Sequence, residues 1–263
     1  MVTSFLIGLQ FLTRIFIVKQ SVWTEQSFGE SVKFFPAVGA ILGIICAGIV
    51  GTINFFTAGN VPLLTGALGF ATLIILTGGI HCDGLMDSAD GLFSGRERDK
   101  ILEIMKDSRA GSFGVVAMIL VAATEISALS ELAKFSTWQL CAAIYSAPII
   151  GRLMMVVTIG AFPYARPEGM GKAFAKFTTQ RTIIFAAVET ILFLLPLNFI
   201  AVKIFLCAGV ATLITLIVTI KFARFSVEKI GGVTGDIYGA VTTLAEMTAL
   251  VTFLFASILW FCR

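Results

Sequence analysis

The sequence has 263 residues, of which 57% are hydrophobic and only 13% charged, with a mean hydropathy of +0.97; an ordinary soluble domain is about a quarter charged. That composition excludes a water-soluble globular protein and predicts an all-α integral membrane protein. The net charge of +3 comes without any basic block of the kind that grips nucleic acid.

Lipid offers no partner to an open backbone group, so roughly 20 apolar residues must cross as a helix. Residues 5–18 (FLIGLQFLTRIFIV) are too short to span and carry Arg14, which predicts an N-terminal amphipathic helix lying in the interface. No small-residue cleavage site follows, so a cleaved signal peptide is not expected. About seven transmembrane helices are predicted, at 34–56, 62–80, 111–132, 138–160, 182–199, 201–220 and 237–261. With no internal repeat, residues 1–263 read as a single membrane domain.

After the second span comes GIHCDGLMDSADG, residues 79–91. On a helix at about 100° per residue, Asp83, Asp87 and Asp90 fall within about 60° of one another and form an acidic stripe. Like charges this close raise one another's pKa and call for a cation. Carboxylates without a thiolate cluster suit Mg²⁺ or Mn²⁺, held together with substrate phosphate. The competing reading is a solvated acidic loop offset by Arg96, Arg98 and Lys100.

Next, KDSRAGSFG (106–114) feeds the third span. A phosphate would suit the helix N-terminus at Gly111, with Arg109 gripping it bidentately and Asp107 completing the metal site; ordinary capping explains the same glycines. Glu125 and Glu189 lie in spans with nothing local to mark them and are read as structural. Arg152 sits deep in the fourth span, where an arginine faces the bundle interior or a watery cavity and is a functional candidate. The loop FPYARPEGMGK (162–172) is rigid and basic, able either to fold over an anionic substrate or simply to mark the inner face. Asp236 opens the last span as an N-cap or a site residue, and Glu246, ten residues on, needs a partner, for which Arg152 is suited.

With the first span running inside to outside, the inner segments carry Arg14, Lys19, Lys33, Arg96, Arg98, Lys100, Lys106, Arg109, Arg166, Lys172, Lys176, Arg181, Lys221, Arg224 and Lys229, against Lys134, Lys203 and Arg263 outside. This bias places residues 81–110, 161–181 and 221–236 in the cytoplasm. The five cysteines, Cys46, Cys82, Cys141, Cys207 and Cys262, form no CxxC pair and read as reduced structural thiols.

Taken together, GGIHCDGLMDSADGL, ILEIMKDSRAGSFG, Arg152, FPYARPEGMG and TGDIYGAVTTLAE resemble the cobalamin synthase family, the adenosylcobinamide-GDP ribazoletransferases, over essentially the whole chain. The resemblance implies a bacterial inner-membrane enzyme, with its site on the cytoplasmic face, that joins adenosylcobinamide-GDP to α-ribazole or its 5′-phosphate and releases GMP, with Mg²⁺ as cofactor. Its aspartate run is also similar to that of CDP-alcohol phosphotransferases, although the later glycine and aspartate spacing departs from theirs. On this reading Asp83, Asp87, Asp90 and Asp107 bind Mg²⁺. Arg109, Arg152 and Arg166 hold phosphate oxygens, with Gly111, Asp236 and Glu246 also at the substrate. One aspartate, Asp87 being one choice among equals, takes the proton of the attacking hydroxyl, while His81 orients an aspartate or transfers protons. The partners implied are the corrinoid nucleotide and ribazole substrates and the lipid bilayer, with no nucleic acid; the oligomeric state, homo-oligomer included, stays open. The rival readings are a CDP-alcohol phosphatidyltransferase, which would release CMP, and an ion-coupled transporter using Glu125, Arg152, Glu189 and Glu246.

Overall fold

The computed structural model describes residues 2–19 and 24–261; Cys262 and Arg263 lie outside the described residues. The chain opens with α1 (Val2–Leu12), an apolar helix of only 11 residues, in keeping with an interfacial segment. Thr24 and Ser27 cap α2 (Glu25–Glu30) reciprocally, and one tight turn over Ser31–Phe34 leads into α3 (Phe35–Phe56), where Pro36 occupies the first turn and needs no donor.

α4 (Pro62–Thr77) also starts on a proline and stops at Gly78. Gly78 and Gly79 both take left-handed backbone angles, φ 65° and 75°, and two such residues in succession turn the chain by 93° into α5 (Ile80–Leu92). The predicted second span therefore ends three residues early, and its polar continuation runs across the bundle. α6 (Arg98–Ile104) leads to α7 (Ser112–Phe135), and Ser136 caps α8 (Thr137–Ala161). α9 (Met170–Phe177) and α10 (Gln180–Leu194) follow. Pro196 separates α10 from α11 (Leu197–Ile200), breaking the predicted span 182–199 near its end.

α12 (Val202–Ile230) departs most from expectation, continuing helical for ten residues beyond the predicted 201–220 until Gly231 turns left-handed at φ 78°. Hydropathy registers only its apolar part; Lys221, Arg224, Glu228 and Lys229 are good helix formers and nothing there breaks the helix. α13 (Gly235–Phe261) closes the chain.

Among the described residues six segments, counting α10 with α11 and α2 with α3, are long and apolar enough to cross a membrane, and α4 passes the same test only together with α5, from which it is bent by 93°. The fold is an all-α multi-pass membrane bundle. α8 is the central post, packed against α3, α13, α10 and α12 and largely buried along its length. Because successive spans alternate in direction, residues 78–111, 162–179 and 231–234 gather at one end, where Arg98 donates to Ile230 O and Ala165 O. At the other end Asn54 donates to Thr137 Oγ1 and Ala133 O, and Lys203 donates to Trp260 O.

Candidate active site

α5 carries the acidic stripe, and its residues sort cleanly by face. Gly84, Leu85, Ser88, Ala89 and Gly91 are buried against the bundle, while Asp83 is exposed and Asp87 and Asp90 are half-buried. The helix lies unusually close to α13: a Cβ on Gly84 would sit 2.7 Å from Asp236 O and 3.0 Å from Gly239 Cα. That glycine-to-glycine crossing brings the first turn of α13, and with it Asp236, beside the stripe.

The loop before α9 supplies the cation. Ala165 N donates to Val233 O and Val233 N to Pro163 O, each at 2.8 Å, so residues 163–165 run beside 231–234. This pairing sets Arg166 next to Asp236, and their side chains meet at 2.8 Å in a mostly enclosed position. Arg98 fastens the same two segments through Ile230 O and Ala165 O. From sequence, Arg98 counts only as inner charge and as a cation offsetting the acidic loop, since a side chain bonded to two distant carbonyls leaves no sequence mark.

Asp87 stands in the middle of this group. Partial burial, then the charges of Asp83, Asp236 and Asp90, push its carboxyl up from 3.8 to about 7, with Arg166 opposing. An acid that strongly attracts a proton here equally attracts a metal cation or the cationic edge of a substrate complex.

A family model for cobalamin-5-phosphate synthase matches residues 4–254. The chain belongs to this cobalamin synthase family. Among its relatives, proteins named adenosylcobinamide-GDP ribazoletransferase from Desulforamulus reducens, Acetivibrio thermocellus and Desulfitobacterium hafniense are 38%, 39% and 36% identical. The alignments cover 94%, 94% and 93% of this chain and 94%, 96% and 94% of the respective relatives. No solved structure matches it.

Within this family member, several predicted site residues have other occupations. Asp90 accepts from Gly111 N at 2.7 Å and from Gly114 N at 2.9 Å, so the N-terminus of α7 that was expected to hold a substrate phosphate is capped by the chain's own carboxylate. Asp107 and Arg109 face each other at 2.6 Å on an open turn, and the guanidinium holds the Asp107 carboxyl down at about 2. Each satisfies the other rather than joining the stripe. Arg152 is fully buried and bonds to Glu246, as the pairing argument anticipated, which places both inside the bundle and away from the open face of α5.

His81 corrects a second expectation. Counted at about 100° per residue, it lies at least about 120° around α5 from each aspartate. Accordingly it is buried and lines a small interior void with Glu125, Thr243 and Glu246, its Nε2 unbonded among the described residues. It does not stand beside the stripe, and the same periodicity that grouped the aspartates would have shown this. Glu125 is likewise buried; the half-buried Glu189 lies on α10, apart from this group.

Among the described residues, no three of His, Cys, Asp and Glu converge as a preformed metal cage. The expected set of Asp83, Asp87, Asp90 and Asp107 is thus not assembled at one point, because Asp90 is engaged at α7 and Asp107 with Arg109. Asp83 and Asp87, one helical turn apart and without an ion-pair partner among the described residues, remain as oxygen donors on the open face. This suits Mg²⁺, which takes one or two carboxylates and completes its shell with water and substrate phosphate.

Proposed function

We infer that the chain transfers the cobinamide-phosphate moiety of adenosylcobinamide-GDP to α-ribazole or α-ribazole 5′-phosphate, releasing GMP, at the end of the bundle where α5, α13 and the 162–169 loop meet. The observation that carries this reading is Asp87, flanked by Asp83, Asp90 and Asp236 and, among the described residues, balanced by Arg166. Family membership supplies the reaction class, and the relatives' printed name supplies the substrates.

In the proposed displacement, the ribazole hydroxyl oxygen attacks the phosphorus that bears the cobinamide ester. The bond from that phosphorus to the bridging oxygen breaks, GMP leaves with the bridging oxygen, and the hydroxyl proton passes to a carboxylate of the cluster. Asp87 is best suited to receive it, since a base works best with a pKa near the operating pH. Arg166, held in place by Asp236, faces the phosphate oxygens as charge shifts onto the leaving group. Asp83 would hold Mg²⁺, which would supply neutralisation of the diphosphate with water and substrate phosphate completing its shell, leaving Asp87 free for the proton. Asp107 and Arg109, paired with each other on an exposed turn, and Arg152, buried with Glu246 inside the bundle, are left out of this assignment.

The positive-inside bias supports a site on the cytoplasmic side of a bacterial inner membrane. The test is a GMP-release assay on purified protein with Mg²⁺, adenosylcobinamide-GDP and each acceptor in turn. Asp87→Ala should lose at least about 100-fold in rate, the usual worth of a positioned acid or base. CMP release from a CDP-lipid, with no GMP from the corrinoid donor, would reassign the chain to CDP-alcohol chemistry.

A further inference from the structure

Beside the acidic stripe, the junction of α1, α4 and α5 leaves a depression of about 490 Å³. Arg14, Phe16, Ile80, Cys82, Asp83 and Met86 are among the side chains that line it. Arg14 is the single cation there among the described residues, and its guanidinium makes no hydrogen bond or ion pair with any of them.

Arg14 is exposed, but its backbone is fixed in place. Its backbone N donates to Leu76 O at 2.7 Å, which ties it to the last turn of α4. The preceding Thr13 bonds back to Leu9 O and accepts from Ile15 N, which holds the turn after α1 in shape. The guanidinium rests on Gly78, where a Cβ would collide with Nε and Cζ, so the glycine that turns α4 into α5 also makes the seat for this side chain. Phe16 and Ile80, both exposed at the rim, and Met86 offer apolar surface to a flat ring. A fork of donors lying over Gly78 on an anchored backbone, next to apolar walls and adjoining the reacting face, matches a phosphate ester carried on an aromatic base.

We propose that this depression is a nucleoside-phosphate subsite in which Arg14 grips the phosphate. It rests on the transferase reading above and adds a residue that the reading does not use. Two reactants share this chemistry, the nucleotide end of the donor and the phosphorylated acceptor, and the test separates them.

The experiment is equilibrium dialysis of GMP and, separately, α-ribazole 5′-phosphate against wild type, Arg14→Met and Arg14→Lys in neutral detergent. Arg14→Met keeps the stem that covers Gly78, and its thermal unfolding is measured alongside. One of the two ligands should bind Arg14→Met roughly ten- to a hundredfold more weakly, the loss of a charge-assisted contact, and Arg14→Lys in between. The ligand affected identifies the occupant. Equal binding of both ligands to wild type and Arg14→Met overturns the proposal, as does failure of wild type to bind either at millimolar concentration. A third arm repeats the measurement in phosphatidylglycerol and phosphatidylcholine discs; if the anionic lipid alone weakens wild type to the Arg14→Met value, a lipid phosphate occupies the site and the proposal falls. Wild type that releases GMP while Arg14 has no effect on binding sinks only this subsite, whereas Arg14-dependent binding without GMP release sinks only the transferase reading.

Discussion

Asp87 and Arg152 show two opposite fates for a charged residue in a greasy chain. In the folded protein Asp87 keeps its proton up to about pH 7, whereas the unfolded chain releases it near 3.8. The folded state binds more protons between those values, so this group's contribution to stability falls as pH rises through that window. Asp87→Asn, neutral throughout, should flatten part of the decline in melting temperature between about pH 4 and pH 7, measured in detergent without divalent metal; an unchanged slope would refute this role for Asp87. Arg152 has no solvent to fall back on, and its Nε and Nη2 are unbonded beyond the contact with Glu246. Arg152→Met alone strands a buried carboxylate and should cost about 3–5 kcal/mol in an unfolding titration, while replacing both partners by methionine should cost clearly less. Equal losses in the single and double variants would refute that account. The depth of Arg152 and its pairing with Glu246 could be read from sequence, since intramembrane charges need partners. Its distance from the open face could not, because that depends on how α8 is enclosed by its neighbours.

At the scale of elements, the site is assembled by backbone proximity. α5 reaches Asp236 because Gly84 and Gly239 let two helices nearly touch, and the 163–165 segment reaches it through backbone bonds to Val233. Gly84→Val should force α5 off α13 and abolish GMP release while leaving the helical circular dichroism intact. Gly48→Val is the control, since a Cβ there meets nothing within 4 Å and activity should persist. Loss of activity in both would point to general misfolding. The stripe itself was legible, because helical periodicity alone put three aspartates on one face. The capping of α7 by Asp90 was not: hydrogen bonds across 21 and 24 residues leave no local pattern, and the sequence offered Gly111 to a phosphate.

Across the whole molecule, hydropathy recovered the bundle because each span buries an unbroken apolar run. It failed at α12, whose charged last turns stay helical, and at the glycine pair, where one apolar stretch becomes two perpendicular helices. That second feature has a bearing on depth. The 16 residues of α4 span only about 24 Å at 1.5 Å per residue, against roughly 30 Å of hydrocarbon. A helix that ends short must thin the bilayer around it or hold its neighbours below the headgroup level. The aspartates of α5 follow this short helix directly across the glycine turn, so the mismatch at α4 bears on how deep the acidic stripe lies. For the proposed transfer, the length of α4 thus becomes a determinant of how far the donor must descend, alongside the side chains that meet it.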